Sequence, residues 1–126
     1  MKTLCSVLIF FTFINAAFAQ RNQPDCKKPQ TQLEMNYCAN LTYEAVDRKL
    51  NEVYQKVMQG LQSRPHNMAL YQAQIAWLRY RDMACHSYSL VAEGGTMQPL
   101  LYSNCLAKLT NSRTEILHEQ LDGLNK

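Results

Sequence analysis

The chain has 126 residues with 13 Lys and Arg against 10 Asp and Glu, a formal net charge of +3 and an apolar share of 47%. That length predicts one domain, and the scattered basic residues exclude the clustered positive footprint of a nucleic-acid binder. The first stretch reads as a targeting segment. Lys2 is a minimal basic start, Leu4 to Phe13 is an apolar run, and Ala17-Phe18-Ala19 is an A-x-A cleavage site, so residues 1–19 are expected to be a signal peptide and Gln20 the mature N-terminus. The run is too short for a membrane span, so the sequence predicts export to the periplasm or the extracellular space, without a membrane span. Cys5 leaves with the signal peptide, and loss of Lys2 brings the formal +3 down to +2.

Residues 20–126 are expected to form one helical domain that buries roughly 60–70% of its unfolded surface. Gln20 to Pro29 is polar, holds Pro24 and Pro29, and has no periodicity; it should be an extended arm tied down by Cys26. Thr31-Gln32-Leu33-Glu34 is a capping box that opens the first helix. The inner stripe of that helix runs Met35, Ala39, Thr42/Tyr43, Val46, Leu50, Val53/Tyr54, Val57, Leu61, with Glu44, Arg48, Glu52 and Gln55 facing away. Gly60 weakens it, and Arg64-Pro65 should stop it. Asn40-Leu41-Thr42 matches a glycosylation sequon, which matters only in a eukaryotic source.

A second helix is expected from about Pro65–Asn67 to Val91, ended by Gly94-Gly95, and a third after Thr96, with Pro99 in its first turn, to about Leu121. The inner arc of the third holds Leu101, Tyr102, Cys105, Leu106, Leu109, Ile116 and Leu117, and Arg113 falls inside it. No alternating stretch is long enough for a strand. The fold class predicted is all-α: three long antiparallel helices in up-down-up order, with an extended N-terminal arm and two disulfides.

The stretch Ala73 to Cys85 carries the only Trp and three polar side chains in unexpected places. On a helical wheel Leu70, Tyr71, Ile75, Trp77, Leu78, Ala84, Cys85 and Tyr88 share one arc, yet Gln74 and Arg81 lie inside it and Asp82 at its edge. Polar groups removed from water need partners, so the arc implies a closed hydrogen-bonded network or a binding cleft. Four cysteines remain after the signal peptide, Cys26, Cys38, Cys85 and Cys105. An even number in an exported chain reads as two disulfides, with three possible connectivities. A metal site is the competing reading, but there is no C-x₂-C pair and His66, His86 and His118 are scattered, so neither a metal nor another cofactor is expected.

Taken in order, Asp25-Cys26, Thr31-Gln32-x-Glu34-Met35-x-x-Cys38, Asp47-x-x-Leu50-Asn51-x-x-Tyr54, Gln74-x-x-Trp77-x-x-Tyr80-Arg81-Asp82-x-x-Cys85, Gly94-Gly95-Thr96 and Leu101-Tyr102-x-x-Cys105-Leu106-x-x-Leu109-Thr110-x-x-Arg113 carry a pattern. With these blocks the chain resembles the lysozyme-inhibitor LprI-like family of small exported bacterial domains, over nearly all of residues 20–126. The resemblance implies a helical, disulfide-bonded periplasmic or extracellular domain. Its family name implies inhibition of lysozyme, hence a protein partner, and it brings no catalytic residues with it.

The residues themselves point the same way. Ser63, Ser87, Ser89, Ser103 and Ser112 have no His–Asp set, no glycine-rich phosphate loop exists, and the thiols are committed to bridges, so no enzyme is expected. The function expected is non-covalent inhibition of a lysozyme by an exported binding protein. The alternatives are an envelope or stress interaction module with no enzyme target and a toxin-neutralising immunity protein.

Trp77 is expected in the core beside Leu70 and Ala84, and Asp47, Gln74, Arg81, Asp82 and Arg113 in a structural polar network. Tyr80 points away from the inner arc, and Glu93-Gly94-Gly95-Thr96 is a short glycine-rich loop; these five are the candidate partner contacts. Acidic residues gather on the outer face of the first helix at Glu44, Asp47 and Glu52, where a Glu44–Arg48 pair should neutralise part of their field.

Helix order then suggests contacts. A hairpin turning near Arg64-Pro65 sets Asp47 level with Arg81. A bridge Cys85–Cys105 near the Gly-Gly loop sets Trp77 level with Arg113, and Cys26–Cys38 ties the arm to the second turn of the first helix.

Overall fold

The computed structural model describes residues 23–126; the expected signal peptide, with Cys5, and the cleavage point before Gln20 lie outside the described residues. Helix α1 spans Gln32–Gly60. It starts where Thr31, in extended conformation, accepts the Glu34 backbone N–H on Oγ1 at 3.2 Å while Glu34 Oε2 accepts the Thr31 N–H at 3.1 Å. Each bond satisfies a donor that the first turn would otherwise leave unpaired. Thr31→Ala is therefore expected to cost about 1 kcal/mol, a fall in melting temperature of roughly 4–8 °C; an unchanged melting temperature would mean that water serves those donors equally well.

The first helix ends at Gly60, and the chain turns over Leu61 to Ser63. Arg64-Pro65 does not stop α1, as the sequence suggested, but opens helix α2 (Arg64–Ser89), capped by Ser63 Oγ on the His66 N–H at 3.4 Å. Proline's missing N–H costs nothing in a first turn, which is why the same dipeptide serves as a start. Beyond Ser89 the helix tightens into one 3₁₀ turn, Leu90–Ala92, rather than continuing to Val91 as α-helix. Gly94 then takes φ +72°, a left-handed conformation that a side chain resists, and helix α3 (Gln98–Leu124) begins with Pro99 in its first turn.

Among the described residues there are three long helices and no strand. Helix α3 packs against both others, while α1 and α2, neighbours in sequence, scarcely approach at backbone level. The closeness of α1 and α3 follows from small side chains: α3 buries Ser103, Ala107, Thr110 and Thr114 along one line, and α1 buries Cys38 and Ala39. At the far end a Cβ on Gly60 would stand 3.1 Å from Leu124 Cδ1, so glycine admits the end of α3 there. The apolar core, Leu50, Val53, Val57, Leu70 and Leu117, fills the half of the bundle nearer the Leu61–Ser63 turn, with Tyr54, Met58, Trp77 and Leu121 packed around it. Two disulfides, Cys26–Cys38 and Cys85–Cys105, each with Cα atoms 5.4 Å apart, lie toward the other end.

Two inner faces differ from the wheel. Tyr71 and Tyr88 are 43% and 57% exposed, because the buried line of α2 runs Leu70, Gln74, Arg81, Cys85, Ser89 and is centred on polar residues that a hydropathy wheel discounts. Ile116 is 53% exposed for the matching reason: the small hydroxyl residues Thr110 and Thr114 take the inner line of α3 in its place.

Candidate functional site

The centre of the bundle is a cation. Arg81 is buried, and its Nη1 donates to Asp47 Oδ1 on α1 at 3.0 Å and to Thr110 Oγ1 on α3 at 3.4 Å, while Nε donates to Asp82 Oδ1 at 2.9 Å. Its guanidinium carbon lies 5.4 Å from the Tyr43 ring centre and 5.2 Å from that of Trp77. Burial alone would pull the Arg81 pKa down, but the hydrogen bond to Asp82, the Tyr43 hydroxyl nearby and Asp47 outweigh it and leave it raised. Every helix contributes, so this group fixes the relative register of all three. Burial likewise raises the Tyr43 hydroxyl.

One turn up, Arg113 Nε donates to Gln74 Oε1 at 3.1 Å, and its guanidinium lies 6.0 Å from the Trp77 ring centre. The structure thus gathers Asp47, Gln74, Trp77, Arg81, Asp82 and Arg113 around one indole. It divides them into two clusters, however: Arg81 has two carboxylates, whereas no ion pair to Arg113 forms among the described residues. Trp77 is half-buried, a plate between two guanidinium groups at the edge of the core rather than a fully enclosed core residue. Tyr43 and Thr110 complete the Arg81 cluster and were missed as polar partners, although Tyr43 stood on the inner stripe of the first helix and Thr110 in the last motif block.

The surface candidates lie elsewhere. Tyr80 is 60% exposed on α2, and Glu93, Gly94, Gly95 and Thr96 are all exposed at the end of the bundle. That loop is held at several points. Gly95 N–H donates to Ala92 O at 2.9 Å, Gly94 N–H to Gln98 Oε1 at 3.1 Å, and Asn36 Nδ2 of α1 to Thr96 O at 2.9 Å. Val91 and Met97 flank it in the chain, 81% and 49% exposed, and Leu33 in the first turn of α1 is 78% exposed, apolar surface that loop composition did not disclose. On the outer face of α1, Glu44 accepts from Asn40 Nδ2 at 2.7 Å instead of pairing with Arg48, and Glu52 meets Lys49 at 3.6 Å. Asn40 lies the same four residues from Glu44 and takes the place expected for Arg48.

Among the described residues no three His, Cys, Asp or Glu side chains gather as metal ligands, and no helix is long and apolar enough to cross a membrane. A groove of about 390 Å³ opens between α2 and α3 beside the Leu61–Ser63 turn, with Arg113 in its wall.

Comparison with known proteins agrees with the motif blocks. The chain is 38% identical to an uncharacterized protein of Rhizobium meliloti (strain 1021), over 84% of this chain and 85% of that one. No solved structure matches it. The model of the family described as lysozyme inhibitor LprI matches residues 25–117, which takes in both bridges, the Arg81 cluster and the Gly-Gly loop. A three-helix, doubly bridged bundle with that match over most of its length belongs to the lysozyme inhibitor LprI family.

Proposed function

We propose that this protein is exported and inhibits a lysozyme by non-covalent binding. The observation that carries the reading beyond the family name is the Glu93–Thr96 loop: exposed, glycine-rich, and pinned by Asn36, Gln98 and the nearby Cys85–Cys105 bridge. A loop already ordered loses little entropy on entering a cleft, so its contacts convert to affinity efficiently. Glu93 supplies a carboxylate for the basic groups around a lysozyme active site, and Val91 and Met97 supply apolar contact. Tyr80 stands ten residues before Leu90, about 15 Å of helix rise away. A standard interface of about 800 Å² per partner spans both.

The test is turnover of a cell-wall substrate by lysozyme with purified residues 20–126. Inhibition is expected to be strongest at low salt. Glu93→Ala and Tyr80→Ala should weaken it roughly five- to thirtyfold in Ki, by about 1–2 kcal/mol each, with melting temperatures unchanged, since neither side chain is among the contacts of the core or the Arg81 cluster. Unaltered turnover at micromolar protein and low salt would sink the inhibitor reading. An envelope interaction module without an enzyme target would then take its place; what favours it now is that Asp47 and Glu52 on α1 are paired with the cations Arg81 and Lys49, which leaves little of the acidic field of that helix free to steer a basic enzyme.

A further inference from the structure

Arg113 is a half-buried cation whose partners do not neutralise it. Only its Nε is hydrogen-bonded among the described residues, to the neutral amide oxygen of Gln74. A glutamate at position 74 would have closed an ion pair; glutamine orients the guanidinium and leaves its full charge. Nη1 and Nη2 are not shut away from water, since the buried side-chain polar atom without a partner among the described residues is Asn67 Oδ1. Burial lowers the Arg113 pKa, in keeping with a charge short of compensation.

This cation stands in the wall of the groove between α2 and α3. Leu61, Leu70 and Ala73 give it an apolar floor and side, His66 and Gln120 add neutral polar groups, and no Asp or Glu lines it. Its volume of about 390 Å³ is within the range of small-molecule sites, which combine a mostly apolar wall with a few placed polar groups. A planar guanidinium with free terminal N–H groups matches a carboxylate with two parallel hydrogen bonds.

We infer that the groove binds a small organic carboxylate, its head on Arg113 and an aliphatic part along Leu61, Leu70 and Ala73. Two sources present that chemistry, a fatty acid and the C-terminal carboxylate of a peptide ending in an apolar residue. The site lies at the opposite end of the bundle from the Glu93–Thr96 loop, so the inference does not rest on lysozyme inhibition and survives its failure.

Trp77, the only tryptophan in the chain, reports on the site directly because Arg113 lies over its ring. Purified residues 20–126 are titrated with octanoate and with N-acetyl-leucine while the Trp77 fluorescence is followed; octanol and acetate serve as controls. A saturable change with a Kd of roughly millimolar is expected for ligands of this size, with octanol, which lacks the charge, and acetate, which lacks the tail, at least tenfold weaker. The tighter of octanoate and N-acetyl-leucine names the source. Arg113→Gln should weaken the response about ten- to a hundredfold, and Ala73→Phe, which fills the groove and leaves the charge, should abolish it. If Arg113→Gln fails to fold, Ala73→Phe decides. Octanoate acting no better than octanol, or binding undiminished in Ala73→Phe, overturns the inference.

Discussion

Asp47→Ala should lower the melting temperature by roughly 10–20 °C, while Glu44→Ala, a carboxylate one turn earlier on the same helix, should leave it unchanged within error. The difference is what each group touches. Asp47 holds Arg81 Nη1 at 3.0 Å, with side chains 32% and 7% exposed respectively, whereas Glu44 lies on the surface with Asn40. Removing one partner of a largely buried pair leaves an under-compensated charge, and full isolation costs about 3–5 kcal/mol. Here Asp82 stays at 2.9 Å and Asp47 is partly hydrated, which brings the expected cost to about 2–3 kcal/mol. Arg81→Lys should be intermediate: the charge remains, but one ammonium cannot reach Asp47, Asp82 and Thr110 in the fork that the guanidinium spans. Equal melting temperatures for Asp47→Ala and Glu44→Ala would show that the pair contributes nothing net.

The two bridges should differ in worth although the chain-entropy account values them alike. Bonds closing 12 and 20 residues of separation each restrict the unfolded chain by about 3 kcal/mol. That value holds only where the native fold fixes both ends anyway. Cys85 is fully buried and Cys105 sits on the adjoining face of α3, so the paired Cys85→Ser and Cys105→Ser variant should lose close to the full amount. Cys26 lies in a mostly exposed arm whose hydrogen bonds, Lys28 N–H to Asp25 O and Lys27 N–H to Asp25 Oδ1, are local. Without its bridge the folded protein recovers much of the freedom that the unfolded chain gains, so Cys26→Ser with Cys38→Ser should cost about 1 kcal/mol or less. Urea unfolding of the two double variants separates the cases. Equal losses would mean that the arm is packed more firmly than its exposure implies.

The three helices, the capping box at Thr31 and the placing of the loop were legible in the sequence because caps, prolines and glycines act locally. The inner faces were less so. Hydropathy ranks Ser103, Thr110 and Thr114 as neutral, yet their small size lets α1 and α3 approach, and that approach turns Ile116 outward. On α2 the arc drawn through apolar residues was pulled toward Tyr71 and Tyr88, while the buried line passes through Gln74 and Arg81. Side-chain reach explains the rest: register set Asp47 level with Arg81, but that Arg81 would be shared with Thr110, and Arg113 left with only an amide, depends on how three helices meet.

Covalent connectivity gives the bundle a seam. Both bridges join residues on the same side of the Leu61–Ser63 turn, Cys26 with Cys38 before it and Cys85 with Cys105 after it. A protease cut in that turn therefore yields two unlinked pieces, α1 with its arm and a bridged α2–α3 pair, held only by non-covalent contacts, among them the core packing of Leu50, Val53, Val57 and Leu117, the Asp47–Arg81 pair and the Asn36–Thr96 hydrogen bond. Their association becomes a bimolecular equilibrium that dilution can reverse. A cut at Gly94-Gly95 has no such effect, because Cys85–Cys105 keeps the halves as one molecule. One nick makes a pair of complementing fragments and the other a two-chain protein, at opposite ends of the same bundle.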